Sequence, residues 1–314
     1  MLTILITGGT GLVGRSLSSA LCEKGYRVII LTRKPPKNQL PANMDYALWN
    51  VDEQKIDVQA VQKADYIVHL AGAGVMDKKW DEAYRKEIVN SRVKSSALLI
   101  NTLKNHSNSV KAVISASAIG WYGPDTLDPA INTGFTETDP AEKSFLGETC
   151  RLWEESIEPV EALGKRLVKY RIGIVLGNDG GALAEFRKPL NFGIAPILGN
   201  GKQMVSWIHI TDLCRLFIHA IEDDQLSGSF NAVAPAPVSN KTLNLQLARI
   251  IRGRFFIPVY VPVFFLKLMM GQRSIEIIKS TTVSCKKIRD GGFTFLYPSI
   301  EAALNDLCKK SLKG

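Results

Sequence analysis

Residues 2–17 read LTILITGGTGLVGRSL, and residues 28–36 read VIILTRKPP. The first quotation joins an apolar run to glycines at 8, 11 and 14, in the spacing T-G-x-x-G-x-x-G. The run has the β-branched content of a strand, and residues 13–24 have helical periodicity. Strand, glycine turn, helix and second strand thus follow one another at the spacing of a βαβ unit. Gly8 permits a tight turn, Gly11 admits a pyrophosphate to the main chain, and Gly14 lets helix and strand pack closely. Leu12 and Val13 complete the expected cofactor loop.

The end of the second run narrows the ligand. An NAD-preferring site places an acid there to accept hydrogen bonds from the adenosine ribose. This chain has Thr32, Arg33 and Lys34 instead. A guanidinium pairs bidentately with a 2′-phosphate, so Thr32 and Arg33 point to NADP(H); the alternative is a solvated basic turn.

The same alternation continues. Strands are expected at 2–7, 27–31, 66–70, 111–115 and 167–172, and helices at 13–24, 80–105 and 145–163. The fold class is α/β, a Rossmann-like doubly wound parallel sheet with a smaller C-terminal α/β lobe. From about residue 177 the chain becomes rich in glycine and loops. The expected division is a Rossmann domain over 1–239, holding part of the substrate lobe from about 177. A basic domain over 240–314 completes that lobe.

Composition sets the outer bounds. The 314 residues are 46% hydrophobic and 22% charged, as in a soluble globular chain. The longest apolar stretch, 259–270, contains Pro262 and Lys267 and is too short to span a bilayer. No basic n-region precedes the first strand, so no secretory signal is expected. Five scattered cysteines without C-x-x-C spacing point to a reducing cytoplasm. Four histidines without ligand spacing predict no metal site. The net charge of +9 comes from residues 240–314, which hold 13 basic and 4 acidic residues. Such a segment attracts nucleic acid, anionic lipid or a phosphorylated substrate, or is a solvated surface. No nucleic-acid motif accompanies it, so a small-molecule substrate is the expected partner.

The glycine pattern together with HLAG at 69–72 resembles the extended short-chain dehydrogenase/reductase superfamily, of the NAD-dependent epimerase/dehydratase type. Longer strings are similar to its "epimerase family" proteins, which carry an extra C-terminal domain of unknown function. They include LAGAGVMDKKWDEAYRKEIVNSRV at 70–93, GNGKQMVSWIHITDL at 199–213 and GGFTFLYPSIEAAL at 291–304. The resemblance covers essentially the whole chain. It implies that Leu70, Ala71 and Gly72 line the cofactor and that Val175 covers the nicotinamide. It also implies that Glu87 and Arg92 touch the NADP moiety, the alternative being surface ion pairs.

Extended members use Ser or Thr with Tyr-x-x-x-Lys, where tyrosine passes a proton, lysine lowers its pKa and the hydroxyl polarises the carbonyl. In VISASAIGWYG at 113–123, Ser117 is the best match to the serine, with Ser115 adjacent. Either is otherwise a strand-end serine bonding backbone. The Tyr-x-x-x-Lys pair is missing: Leu146 and Cys150 stand at its positions. Tyr122 is the candidate substitute, or else a packed loop aromatic beside a pocket wall at Trp121. Cys150 is a reactive thiol or a buried structural one. Arg171 and Gly173 resemble the family's strand leading into the substrate loop. Gln203, Ser206 and Trp207 are expected to face substrate, while His209 and Asp212 fix that loop. The resemblance implies an NADP(H)-dependent oxidoreductase or epimerase acting on a small carbonyl or sugar-like substrate. The missing pair leaves open an NADP(H)-binding regulatory protein without catalysis.

Overall fold

The computed structural model describes residues 1–35, 41–126 and 134–311. Its first half follows β-branched apolar runs into a sheet and amphipathic stretches into the helices that cover it. In chain order these are β1 (Thr3–Thr7), α1 (Leu12–Glu23), β2 (Arg27–Thr32), β3 (Met44–Asn50), β4 (Lys55–Ile56), α2 (Val58–Gln62), β5 (Tyr66–His69), α3 (Glu82–Asn105), β6 (Ala112–Ala118), α4 (Phe145–Ile157) and β7 (Arg166–Ile172). The second half contributes β8 (Ile174–Leu176), α5 (Gly181–Arg187), β9 (Ile194–Leu198), β10 (Met204–Val205), β11 (Trp207–His209), α6 (Ile210–Glu222), β12 (Gly228–Ala232) and β13 (Val238–Ser239). It ends with α7 (Asn240–Arg252), β14 (Ile257–Val261), α8 (Val263–Met270), α9 (Ser274–Ile278), α10 (Lys286–Asp290) and α11 (Ile300–Ser311).

The main sheet has eight strands in the order β12-β7-β6-β5-β1-β2-β3-β4. Its pairings are parallel except β3 with β4. Period-two alternation sends β1 side chains to two cores. Ile4 and Ile6 join α1 and α6 on one face, and Leu5 joins Leu98, Leu99 and Leu103 of α3 on the other. A sheet buried on both faces reads as the continuous apolar runs seen in the sequence. Because β1 lies between β2 and β5, the strand order reverses beside it, and a crevice opens beyond the carboxyl ends of β1 and β5.

Several boundaries differ from expectation for local reasons. The helix expected over 145–163 stops as α4 at Ile157 and continues as a 3₁₀ turn over Glu158–Leu163. Pro159 has no N–H to continue the α ladder. The strand β3 lacked a sequence signal because MDYALWN is only partly apolar; it lies near the sheet edge, with exposed positions along its length. The 258–270 stretch divides at Pro262 into β14 and α8.

The smaller lobe has its own core, where Leu183, Trp207, Leu243, Leu247 and Leu304 meet. Residues beyond 240 also return to the main sheet: Val283, Cys285, Ile288, Phe293 and Phe295 belong to the core that contains β1. Asp212 is the anchor of that return. Its buried carboxylate accepts N–H bonds from Leu296 and Tyr297, both at 2.9 Å, and one from Arg215 Nη1 at 2.9 Å.

Candidate cofactor crevice and active site

The glycines shape the crevice loop. Gly8 has φ +68°, and a Cβ there would stand 2.8 Å from the Leu70 carbonyl. At Gly14 a Cβ would come within 2.4 Å of the Gly8 carbonyl oxygen, so α1 packs directly on the loop. Gly11 caps α1 in an extended conformation without a side-chain bond, and the first turn of the helix has no acidic residue. Its N–H groups and the helix dipole therefore present a positive end to the crevice. Leu12 and Val13 are half-buried on that first turn. A cavity of about 210 Å³ adjoins it, bounded by Leu12, Ser16, Gly177 and His209.

A polar chain that sequence reading missed holds the other lip. Thr7 Oγ1 accepts the N–H groups of Leu70 (3.0 Å) and Ala71 (3.1 Å), leaving its proton for His69 Nδ1 at 2.8 Å. The Nε2 proton of His69 then faces the hydroxyls of Ser95 and Ser96 at 3.4 and 3.3 Å. Both serines donate to the Arg92 carbonyl. Burial, with Arg92 adding to it, lowers the His69 pKa to about 3, so the ring is neutral. The signal was available as polar residues at the ends of two apolar strands.

Arg92 and Glu87 occupy different surroundings. Arg92 is buried, donates from Nη1 to Ala73 O (3.1 Å) and Ile88 O (2.8 Å), and lies over the Trp153 ring. A Cβ on Gly72 would stand 3.0 Å from its Cζ, so the guanidinium backs the crevice loop. Burial rules out the surface ion pair considered for Arg92. Glu87 does make such a pair, with Lys78 at 3.1 Å.

At the end of β2, Thr32 Oγ1 bonds the backbone of Lys34 and folds the turn. Arg33 is exposed, with no hydrogen bond or ion pair among the described residues. A second cation, absent from the sequence reading, stands at the glycine loop: Arg15 Nη1 donates to Thr10 O at 2.7 Å. Val175 is half-buried on β8, near the Gly177–Asn178 turn.

The expected proton-transfer groups, Ser117 and Tyr122, both have internal partners. Ser117 is buried and donates to Glu154 Oε1 at 2.7 Å. That carboxylate also accepts from Arg171 Nε (2.8 Å) and pairs with Lys169 (3.6 Å). Tyr122 is fully buried; its hydroxyl donates to Asn231 Oδ1 at 2.6 Å and accepts from Arg171 Nη1 at 3.0 Å. Burial pushes its pKa up to about 12. Both hydroxyls are engaged in one cluster around Arg171 and Glu154, and Glu154 lies one helical turn beyond Cys150 on α4. Trp121 stacks on Arg171, 3.6 Å from ring centroid to Cζ. Ser115 is buried and bonds the backbone.

At the relay position itself, Leu146 and Cys150 are buried against Gly120. Burial raises the Cys150 thiol to about 12, which removes it as a reactive thiolate. Gln203, Ser206 and Trp207, expected to face substrate, are buried and bonded internally. Gln203 Nε2 donates to Leu198 O, Ser206 ties Thr281 to Val283, and Trp207 Nε1 donates to Ala236 O. Each buried polar atom finds an internal partner, and Ser206 reaches the C-terminal segment. His209 accepts the N–H of Thr211 at the start of α6 and stacks on Tyr297. Gly173 is pressed against Ser206 O and Val233, with no space for a side chain. Among the described residues no group of three His, Cys, Asp or Glu is placed to hold a metal ion.

Comparisons with known proteins agree with this geometry. Residues 4–155 match the NAD dependent epimerase/dehydratase family, and 261–307 match a domain of unknown function, DUF1731. An epimerase family protein of Staphylococcus saprophyticus is 33% identical over 96% of this chain and 98% of its own. The epimerase family protein YfhF of Bacillus subtilis is 33% identical over 98% of both chains. Among solved structures, the human epimerase family protein SDR39U1 (isoform 2) with NADPH superposes with a TM-score of 0.85 and 26% identity, over 98% of this chain and 99% of that one. With its sheet order, its glycine crevice and relatives matched from end to end, the chain belongs to the epimerase family.

Proposed function

We propose that this protein binds NADP(H) in the crevice between the ends of β1 and β5. The cradle fits a diphosphate: Gly8 and Gly14 leave no room for side chains, Gly11 caps α1 with none, and the N–H groups of Leu12 and Val13 lie at its positive end. Leu70, Ala71 and Gly72 form the opposite lip, backed by Arg92, with Glu87 on the same helix and Val175 toward the nicotinamide end. Thr32 shapes the turn that offers Arg33 to a 2′-phosphate. Arg15 adds a cation at the diphosphate loop. The single observation that carries the reading is the glycine-lined start of α1, together with Arg33 exposed at the end of β2 and without a partner among the described residues. The NADPH held by the human relative supports it.

When bound, a nicotinamide supplies hydride exchange with a carbonyl carbon. The leading reading is oxidoreductase or epimerase chemistry on a small carbonyl or sugar-like substrate. The chain's own part is to bind and orient the two reactants and to exclude water between the lobes. Arg273 Nη1 on Met76 O (2.7 Å) and Lys279 Nζ on Tyr122 O (3.2 Å) hold those lobes together. One observation favours a second reading, an NADP(H)-binding regulatory protein without turnover: Leu146 has no ionisable group, Cys150 is a buried neutral thiol, and Ser117 and Tyr122 are engaged internally. The five free cysteines, four of them buried, support a reducing cytoplasm.

Calorimetry tests the binding. Arg33→Asp weakens NADPH by about 2 kcal/mol, or about 30-fold, the scale of a lost charged hydrogen bond, and leaves NADH nearly unchanged. Equal losses for both nucleotides remove Arg33 as the phosphate reader. Turnover of NADPH with carbonyls or nucleotide sugars selects the enzyme; tight binding without turnover selects the regulator.

A further inference from the structure

Two stretches of chain that supply much of the smaller lobe, and also β12 of the main sheet, contain no side-chain carboxylate. Residues 186–211 and 225–275 contain nine Lys or Arg and no Asp or Glu. They supply β9, α7, β14 and α8. Surfaces of globular proteins normally intersperse both signs of charge. Here Lys241, Arg252, Arg254 and Lys267 have no ion pair among the described residues; Lys241 lies 6.0 Å from the Tyr260 ring centroid.

The apolar side chains of the same region point the wrong way for a core. On α8 only Leu266 is buried. Phe264, Phe265, Leu268 and Met269 are exposed and span an arc of about 140° at 100° per residue. Phe264 is 72% exposed and Leu268 80%. Strand β14 pairs with β9, and Ile257, Val259 and Tyr260 are exposed along it. Phe255 (88% exposed) precedes β14, and Phe192 (84% exposed) comes beside it because Ile257 donates its N–H to Gly193 O at 2.8 Å. Aromatic and aliphatic groups thus stand in solvent among unpaired cations.

We propose that this face docks on an anionic lipid bilayer. A bilayer surface offers both things the face lacks, phosphate charge for the cations and an apolar layer for Phe255, Phe264 and Leu268. A second copy meeting the same face would bring like charges together. Nucleic acid would satisfy the cations and leave the aromatic side chains in water. Among the described residues no helix is long and apolar enough to cross a membrane. The face therefore rests on the bilayer surface. This docking stands apart from the nucleotide reading.

Vesicle flotation of the full chain tests it. The protein floats with vesicles containing phosphatidylglycerol, and does so at least about 10-fold less with phosphatidylcholine alone. Combining Phe264→Ser with Leu268→Ser, or Arg254→Glu with Lys267→Glu, reduces flotation about 10-fold or more. All four positions are exposed, so thermal unfolding of each variant stays unchanged. Absence of flotation with anionic vesicles overturns the proposal, as does undiminished flotation of either double variant. A dimer that dissociates in Phe264→Ser/Leu268→Ser without vesicle binding assigns the face to a second copy. An oligonucleotide that binds where vesicles do not assigns it to nucleic acid; both results overturn the proposal.

Discussion

The two walls of the crevice are built from different materials. Where β1 and β5 end, the surface is main chain: glycine carbonyls and amides, the N–H groups of α1, and a lip fixed from behind by Thr7 and His69. On α4 the relay positions are filled by side chains, and these are Leu146 and Cys150, buried against Gly120. A wall of backbone is set by the path of the chain, so it persists wherever the strand–turn–helix persists. A wall of side chains changes one residue at a time with the fold intact. Diphosphate recognition and proton transfer are therefore separable in this architecture, and here the glycine loop is present while α4 lacks the usual relay groups.

The strongest way to break the comparison is to attack the cluster behind α4. Glu154 is a buried carboxylate that bonds Ser117 and pairs with Arg171 and Lys169. Glu154→Ala leaves an uncompensated guanidinium inside the protein and destabilises it by about 3–5 kcal/mol, read from urea unfolding. If α4 is only a scaffold for the crevice, the folded fraction still binds NADPH with unchanged affinity. On the other wall, Gly14→Ala forces a Cβ to within 2.4 Å of Gly8 O. It costs about 3 kcal/mol in overpacking and displaces α1 from the loop, so NADPH affinity falls with stability. Retained affinity in Gly14→Ala would show that the diphosphate does not rely on the helix start.

Legibility followed the same division. The glycines and the βαβ unit were readable because local conformation dictates residue type: φ +68° at Gly8 and the close approach at Gly14 restrict what can stand there. The candidate chemistry was not. Ser117 and Tyr122 matched by spacing, but whether a hydroxyl faces substrate or Glu154 and Asn231 depends on packing across 37 and 109 residues of chain. Ser206 shows the same dependence: its partners Thr281 and Val283 arrive from the C-terminal segment. The exposed apolar face over 255–269 escaped because a Phe/Leu/Met run looks alike whether it packs inward or outward.

The β1/β5 lip can be sharpened by pH. His69 titrates near 6.5 when unfolded and at about 3 when folded. With the folded pKa depressed, its contribution is complete above pH 6.5 and is lost as pH falls toward 3, because the unfolded chain takes up the proton first. Between pH 8 and pH 5 the wild type loses about 2 kcal/mol from this group. His69→Gln does not titrate, so its stability profile is flatter by that amount over the same interval. Parallel profiles would mean that the ring protonates in place.

The smallest effect separates the two roles open to Ser117. Its hydroxyl donates to a buried carboxylate at 2.7 Å, so Ser117→Ala removes one charged hydrogen bond and lowers stability by about 1.5 kcal/mol. Glu154 keeps Arg171 and Lys169, which limits the loss. A structural serine predicts that NADPH affinity, and kcat for any substrate found, change less than about twofold. A carbonyl-polarising serine predicts the reverse, with kcat falling at least about 100-fold and unfolding little altered. The reverse result would require the hydroxyl to leave Glu154 when substrate binds, and the side-chain wall would then retain chemistry that its resting geometry conceals.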